Sequence, residues 1–453
     1  MTLNAGALLA ELRADNSRLA LPGKGEKPSW DQDGPHKAAY EKDPELYALG
    51  VTAEGVPAGA RARALFQILR RSREGLAAGA RRTLDRVAAY LLVSLPAPTV
   101  LAVFQGLRRV GANHKHATRA IVEFVFAHPS AVDMVSKKRK VVLECLEHAV
   151  GRDVARGCAR KLEAGESGAV GYWKKSFGRF LADADVGREL LPFVYGKAKA
   201  PSRDEEPHAL VHRRYEPATA LVEAPKTVTA TNRGHVSATL VHMYRGGENK
   251  ELARALEGYV ARAASGLPRF EGTLAIVLDA SASTRGYGER EFCCISQSYA
   301  LALVLEKCAE DVLLFTVGGR GSPPAPEGAT DLAGAVLDAA SGKPDVVAVL
   351  TDGYENTLDG DLARVTRALG RLEQDVPVVV LNSAFTRKDD LALRSPAPEL
   401  PSLTFWHESE FAELATGLFG YARGELGVRF ARRLLSDRLS RIEKEVKPWI
   451  AST

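Results

Sequence analysis

The chain has 453 residues, 45% of them apolar and 26% charged, with a formal net charge of +5 at neutral pH. That length suffices for two or three domains, and the composition is that of a globular protein rather than a disordered or fibrous one. No run of 18 apolar residues occurs, so no membrane-spanning helix is expected.

The five cysteines (Cys145, Cys158, Cys293, Cys294, Cys308) form no C-x-x-C pair and lie mostly in apolar, helical surroundings. They read as reduced thiols of a cytoplasmic protein. No basic segment precedes the short apolar patch near Met1, so a signal peptide is not expected. Charge is unevenly spread. Residues 1–270 carry 42 Lys and Arg against 29 Asp and Glu, while residues 271–453 carry 19 against 27. A basic first part therefore precedes an acidic second part, which suggests a nucleic-acid partner for the first or electrostatic docking between the two.

Residues 1–50 begin with an amphipathic helix from about Ala5 to Arg18. Pro22-Gly23, Gly25, Pro28, Gly34-Pro35 and Pro44 then predict an irregular arm, with Trp30 and Tyr40 available to pin it to the body. From Ala58 to Ala164 the apolar spacing is helical. Helices are expected over 60–74, 79–93, 98–110, 116–127, 136–150 and 153–163, with breaks at Gly75, Pro96, Gly111, Pro129 and Gly151. Lengths of about 11–16 residues with short connections fit antiparallel pairs stacked in a HEAT-like array, although no strict repeat is visible. Trp173 to Tyr195 reads as one or two more helices, and Ala198 to Val228, with four prolines, as a long loop. Two helices follow between Asn232 and Ala264, and Leu267-Pro268 marks a border. A helical domain over 51–270 is the resulting expectation.

The remainder alternates strand and helix. Strands are expected at 274–278, 312–317, 346–350, 376–381 and 403–406, and helices at 289–309, 332–340, 360–372 and 408–420. That is the alternation of βα units, and it predicts an α/β domain over 271–425. A basic amphipathic helix over about 428–446, bearing Arg429, Arg432, Arg433, Arg438 and Arg441, forms a last segment (426–453). It is expected to pack back on the helical part. The fold class is thus α plus α/β.

Chemistry concentrates where Leu274-Ala-Ile-Val-Leu278 ends in Asp279-Ala-Ser281-Ala-Ser283. Ligand sites of open α/β sheets lie beyond the carboxyl ends of strands. Thr330 opens a later helix, and Asp352 ends the apolar strand Val346–Leu350. Asp279, Ser281, Ser283, Thr330 and Asp352 offer carboxylates and hydroxyls but no thiol or imidazole, which suits a hard cation such as Mg²⁺. The same residue types also serve as helix N-caps and turns, so the weight rests on the three stretches together. This set, D-x-S-x-S followed by a Thr and an Asp in order, resembles the metal-ion-dependent adhesion site of von Willebrand factor A domains. The resemblance covers about residues 271–420. It implies a doubly wound sheet and a metal whose coordination is completed by an acidic group of a protein partner.

A second resemblance joins the two parts. Ser237-Ala-Thr-Leu-Val-His-Met-Tyr244, then Leu252-Ala-Arg-Ala-Leu-Glu-Gly-Tyr259, a proline-bearing linker and Asp279-Ala-Ser-Ala-Ser resemble the module junction of the Ro autoantigen family. In that family a ring of HEAT-like helices, the TROVE domain, is closed by a von Willebrand A domain and binds small noncoding and misfolded RNAs. Gly111-Ala-Asn-His114-Lys115 also resembles a segment of that helical region. The helical part here is about 220 residues, short for such a ring. The resemblance implies a ribonucleoprotein scaffold.

On residues alone, phosphate binding requires clustered Lys and Arg. The chain offers Arg70, Arg71 and Arg73, Arg81 and Arg82, Arg108 and Arg109, Lys115 and Arg119, and Lys137-Lys138-Arg139-Lys140. Arg108, Arg109, Lys115 and Arg119 surround one helix junction with Asn113, His114 and His116. Arg108, Arg109, His114, Lys115, Arg119, Lys137, Lys138 and Arg139 are the expected RNA contacts. No RRM, KH or zinc-knuckle signature is present, nor a Walker A, G-x-S-x-G or H-E-x-x-H motif. A noncatalytic protein is therefore expected. The competing expectation is a metal-dependent protein adaptor working beside a MoxR-type AAA+ ATPase.

Overall fold

A computed structural model describes residues 3–21, 26–30, 36–128, 131–196, 235–247, 250–355, 357–371, 376–385 and 394–451. In chain order the first elements are α1 (Ala5–Ala14), β1 (Leu19–Ala20), β2 (Ser29–Trp30), α2 (His36–Lys42), α3 (Pro44–Gly50), α4 (Ala58–Arg70), α5 (Ala78–Ser94) and α6 (Ala97–Arg109). Next come α7 (Lys115–Ala127), α8 (Ala131–Val150), α9 (Arg152–Glu163), α10 (Ala169–Ser176) and α11 (Leu190–Val194). Then follow α12 (Val236–His242), α13 (Lys250–Ser265), β3 (Phe270–Ala280), α14 (Cys293–Cys308), β4 (Ala309–Gly318), α15 (Leu332–Ser341) and β5 (Val346–Thr351). The last are α16 (Asp361–Arg371), β6 (Val378–Ser383), β7 (Ser402–Phe405), α17 (Phe411–Gly420) and α18 (Glu425–Ala451). No described helix is long and apolar enough to cross a membrane. The expected loop over 198–228 lies outside the described residues, as do 22–25 and 31–35 of the expected arm.

Two compact units result, a helical one (Glu11–Ala220 with Leu435–Thr453) and a sheet-bearing one (Met1–Ala10 with Leu221–Leu434). In the helical unit, α3 packs on α5, α4 on α6, α5 on α7 and α6 on α8, so each helix meets the next but one. The apolar periodicity explains this, since one stripe of each helix is buried: Leu65, Ile68 and Leu69 of α4, Leu84, Val87 and Leu91 of α5, Ile121 and Val125 of α7. The far end is closed by Trp173, stacked at 5.1 Å on Phe177 and edge-on to Phe126, with its indole N–H donating to the Ala184 carbonyl at 2.6 Å.

Where the irregular stretch is expected after the first helix, the described residues 36–50 are largely helical instead. Asp43 caps α3 by accepting from the Leu46 N–H at 3.0 Å, and Pro44 occupies the first helical turn. There a proline starts a helix rather than breaking one. Tyr40, Leu46, Tyr47 and Leu49 are buried. Trp30 does anchor the segment, edge-on to Phe66 at 6.2 Å with the Arg63 guanidinium over its ring.

The sheet unit holds five parallel strands in the order β4-β3-β5-β6-β7. The central strands β5 and β6 are buried throughout, as is β3 from Leu274 onward, as parallel strands covered on both faces must be. On one face Leu274, Ile276 and Leu278 meet Leu301 and Leu305 of α14, with Phe411 and Leu418 of α17 in the same core. On the other, Ala275 and Val277 meet Val336 of α15 and Leu362 of α16. The alternation along β3 is what makes the sheet doubly wound.

The border expected near residue 270 falls elsewhere. Helices α12 and α13 belong with the sheet, because Val236, Leu240, Met243 and Val260 are buried in the same core as Phe270 and Leu305. Likewise α18 divides, its residues to Leu434 grouping with the sheet unit and those from Leu435 with the helical unit. In the latter, Arg438 donates to the Thr52 carbonyl at 2.6 Å and Arg86 pairs with Glu443 at 2.7 Å. The final helix thus packs on the helical unit through its second half.

Candidate metal centre and cationic cleft

Strand β3 is the first of the sheet, with β4 on one side and β5 on the other. The chain reverses its winding between β3 and β5, the switch point at which ligand sites of open α/β sheets lie. Asp279 lies in the penultimate position of β3, Thr351 ends β5, and Asp352 follows it directly. The β4–α15 loop is clipped over this point. The Glu327 N–H donates to the Ala280 carbonyl at 3.0 Å and the Ala282 N–H to the Gly328 carbonyl at 3.1 Å. That clip delivers Thr330.

All five sequence-expected residues meet. Asp279 Oδ1 accepts from the Ser281 N–H at 3.0 Å, and Oδ2 accepts from the Thr351 hydroxyl at 2.7 Å. The Thr330 hydroxyl donates to Ser281 Oγ at 2.8 Å, and Ser281 and Ser283 share a hydroxyl contact of 3.1 Å. Asp352 Oδ1 accepts from the Tyr354 N–H at 3.2 Å. Asp279, Ser281, Thr330 and Asp352 are fully buried, each at 0% exposure.

Burial pushes the Asp279 carboxyl above the usual carboxylate range, against hydrogen bonds from Ser281 and Thr351. Burial, then the Asp279 charge, pushes Asp352 up to about 6, opposed by Tyr354, Ser283 and Arg394. Asp352 Oδ2 is buried and has no hydrogen-bond partner among the described residues. An orphaned carboxylate oxygen beside a second buried carboxylate is costly unless a cation joins them. The donor set is two carboxylates and three hydroxyls. No group of three or more His, Cys, Asp or Glu placed to hold a metal occurs among the described residues. The oxygen donors named above are of the kind that suits a hard divalent cation.

Two residues of this site escaped sequence reasoning. Thr351 orients Asp279, and its own oxygen accepts from the Gly353 N–H at 3.0 Å. Arg394, 5% exposed, donates to the Asp352 carbonyl at 2.9 Å and lies over the rings of Tyr354 and Phe385. The position of Thr351, next to a selected aspartate, was legible, but its bond to Asp279, 72 residues away, was not. Arg394 is 42 residues from Asp352 in a stretch without motif.

The basic candidates divide. Lys115 and Arg119, one helical turn apart on α7, line a cleft of ≈ 390 Å³ together with Arg73, Arg81 and Arg179. Asp85, His116 and Phe180 complete its wall. His116 stacks on His114, with ring centroids 5.3 Å apart, and its Nε2 contacts the Leu69 carbonyl at 3.2 Å. Burial, with the Arg73 charge, pulls His116 down to about 4, so it is neutral near pH 7. Three of the other candidates are engaged elsewhere. Arg108 pairs with Glu144 at 3.1 Å and Lys137 with Asp133 at 3.0 Å, while Arg139 lies over Phe193. Lys138 marks a kink in α8, and neither it nor Arg109 lines the cleft. Arg179 and Phe180 were not anticipated, because a single turn at Gly178–Phe180 carries no periodic signal.

These features define a class: a stacked helical unit joined to an open parallel α/β sheet with an oxygen-donor cluster at its switch point. No family model, no curated protein and no solved structure matches the chain.

Proposed function

We propose that the chain is a noncatalytic RNA-binding scaffold of the Ro type, located in the cytoplasm, with a HEAT-like helical unit and a von Willebrand A-type unit that holds Mg²⁺. The carrying observation is the convergence of five cationic side chains, Arg73, Arg81, Lys115, Arg119 and Arg179, on one concave face of the helical unit. Such a concentration of charge favours phosphate and releases counterions when it binds. The next-but-one packing of α3 to α8 supports the HEAT-like reading.

Asp279, Ser281, Ser283, Thr330 and Asp352 would hold the metal, directly or through water. When bound, the cation supplies a positive centre for an acidic group of a partner. The chain's own residues keep the two carboxylates buried, fix Asp279 through Thr351 and balance charge through Arg394.

The adaptor reading has its own support. Tyr287 is 87% exposed and Leu358 61%, in the loops that follow Ser283 and Asp352. Exposed apolar groups of that kind suit a protein partner.

Purified protein is expected to bind structured RNA at low salt, and Lys115→Glu with Arg119→Glu is expected to weaken binding at least tenfold. Absence of nucleic-acid binding, alongside Mg²⁺-dependent capture of a protein, would favour the adaptor. Independently, Mg²⁺ should raise the melting temperature of wild-type protein and not of Asp279→Asn. An equal response of both proteins would remove the metal site.

A further inference from the structure

The cationic cleft is more confined than a track for a polynucleotide backbone needs to be. A diester chain spreads single charges along its length. A phosphate monoester gathers close to two negative charges and three acceptor oxygens at one point. Arg73 and Arg81 come from the start of α5 and the loop before it. Lys115 and Arg119 come from the first turns of α7, and Arg179 from the turn at Gly178–Phe180. They converge on ≈ 390 Å³, within the range of roughly 300–1,000 Å³ that small ligands occupy.

Among the described residues that line the wall the one carboxylate is Asp85, and it is held by Arg73. Among the described residues Arg81, Lys115, Arg119 and Arg179 have no carboxylate within ion-pair distance. Even with Glu123 near Arg119, the cations around this space outnumber the carboxylates and repel one another, and a dianion would relieve this. The same wall carries flat apolar surface. Phe180 lines the cleft with the Arg179 guanidinium 4.6 Å from its ring, and the stacked His114–His116 pair stands at the α7 end. Aromatic and guanidinium planes of this kind stack on nucleobases.

We propose that the cleft between α5, α7 and the Gly178–Phe180 turn is a binding site for a phosphate monoester the size of a nucleoside monophosphate. Arg119, Arg179 and Lys115 hold the phosphate, and Phe180 carries the base. A free mononucleotide and the phosphorylated end of an RNA strand share this chemistry. The inference does not depend on the RNA reading.

Calorimetric titration of the full-length protein at low salt tests it, with adenosine 5′-monophosphate, adenosine and inorganic phosphate as probes. The expected result is one site for the monophosphate, weaker binding of phosphate and none of adenosine. Arg119→Gln and Arg179→Gln, both at exposed positions, should each weaken the monophosphate about ten- to hundredfold. Phe180→Ala should weaken the monophosphate but not phosphate.

A decauridylate with and without a 5′-phosphate separates the sources. A preference for the phosphorylated strand that disappears in Arg119→Gln assigns the cleft to strand ends as well. Equal binding of both strands, with the mononucleotide still bound, assigns it to the free nucleotide. If the strands bind and the mononucleotide does not, or if its binding survives both arginine variants, the cleft is no monoester site and the RNA reading stands. Binding of the mononucleotide without either strand keeps the cleft and removes the RNA reading.

Discussion

Three titratable side chains of the helical unit show how burial, with neighbouring charge, sets pH behaviour. Glu123, beside Arg119 and Asp85, is pushed up to about 7 chiefly by burial. An acid whose folded pKa is raised binds its proton longer folded than unfolded, so its contribution worsens as pH rises from about 4.5 through 7. Glu123→Gln is therefore expected to raise the melting temperature by a few degrees at pH 8 and leave it unchanged near pH 4.5. Equal gains at both would show that the carboxyl's charge is irrelevant. His116 and His36 act in the opposite sense. Each is drawn down to about 4, first by burial and then by arginine charge. A base whose folded pKa is lowered leaves the unfolded state holding more protons, so stability is complete above about pH 6.5 and is lost toward pH 4. For His36 the fixed partners are Asp15, 2.9 Å from Nε2, and the Tyr47 hydroxyl, 2.8 Å from Nδ1. His116→Gln should flatten the acid limb of a denaturant-unfolding series between pH 6.5 and 4, and an unaltered limb would count against its buried, neutral state.

Among the elements, the loops at the carboxyl edge of the sheet are the most demanding. Gly318 ends β4 with φ of +63°, and a Cβ there would run into the Glu327 carbonyl and lie 2.9 Å from Ser281 Cα. The position needs both the left-handed backbone and the missing side chain. Gly318→Val is expected to push the Thr330 loop off the end of β3. It should abolish Mg²⁺-dependent stabilisation and cost at least about 1–3 kcal/mol of stability. A variant that folds and responds to Mg²⁺ like wild type would show that the loop clip does not shape the site. The element boundaries teach a related lesson. Strands β5 and β6 were legible because strands buried on both faces are continuous apolar runs. Helices α2 and α3 were not, since seven residues give under two turns of periodicity and Pro44 looked like a breaker.

At the scale of the whole chain the basic first part and the acidic second part are facts of composition, but only folding decides which charges act together. If the five cations of the cleft carry nucleic-acid affinity, the logarithm of affinity should fall with the logarithm of salt at a slope of about −0.7 per neutralised phosphate of a single strand. Arg119→Gln should make that slope shallower by about 0.7, whereas Lys137→Gln, already paired with Asp133, should leave it unchanged. Similar changes for both variants would mean that the basic surface is diffuse. The sequence by itself determined the helical and α/β halves, the parallel strands and the five oxygen donors of the candidate metal centre. Those signals are local: apolar period, strand-end position and residue type. Only the tertiary structure decided that α12 and α13 cover the sheet, that Arg394 and Thr351 support the buried carboxylates, and that Arg179 and Phe180 join Lys115 and Arg119. Each of those depends on contacts between segments far apart in the chain, which no local pattern encodes.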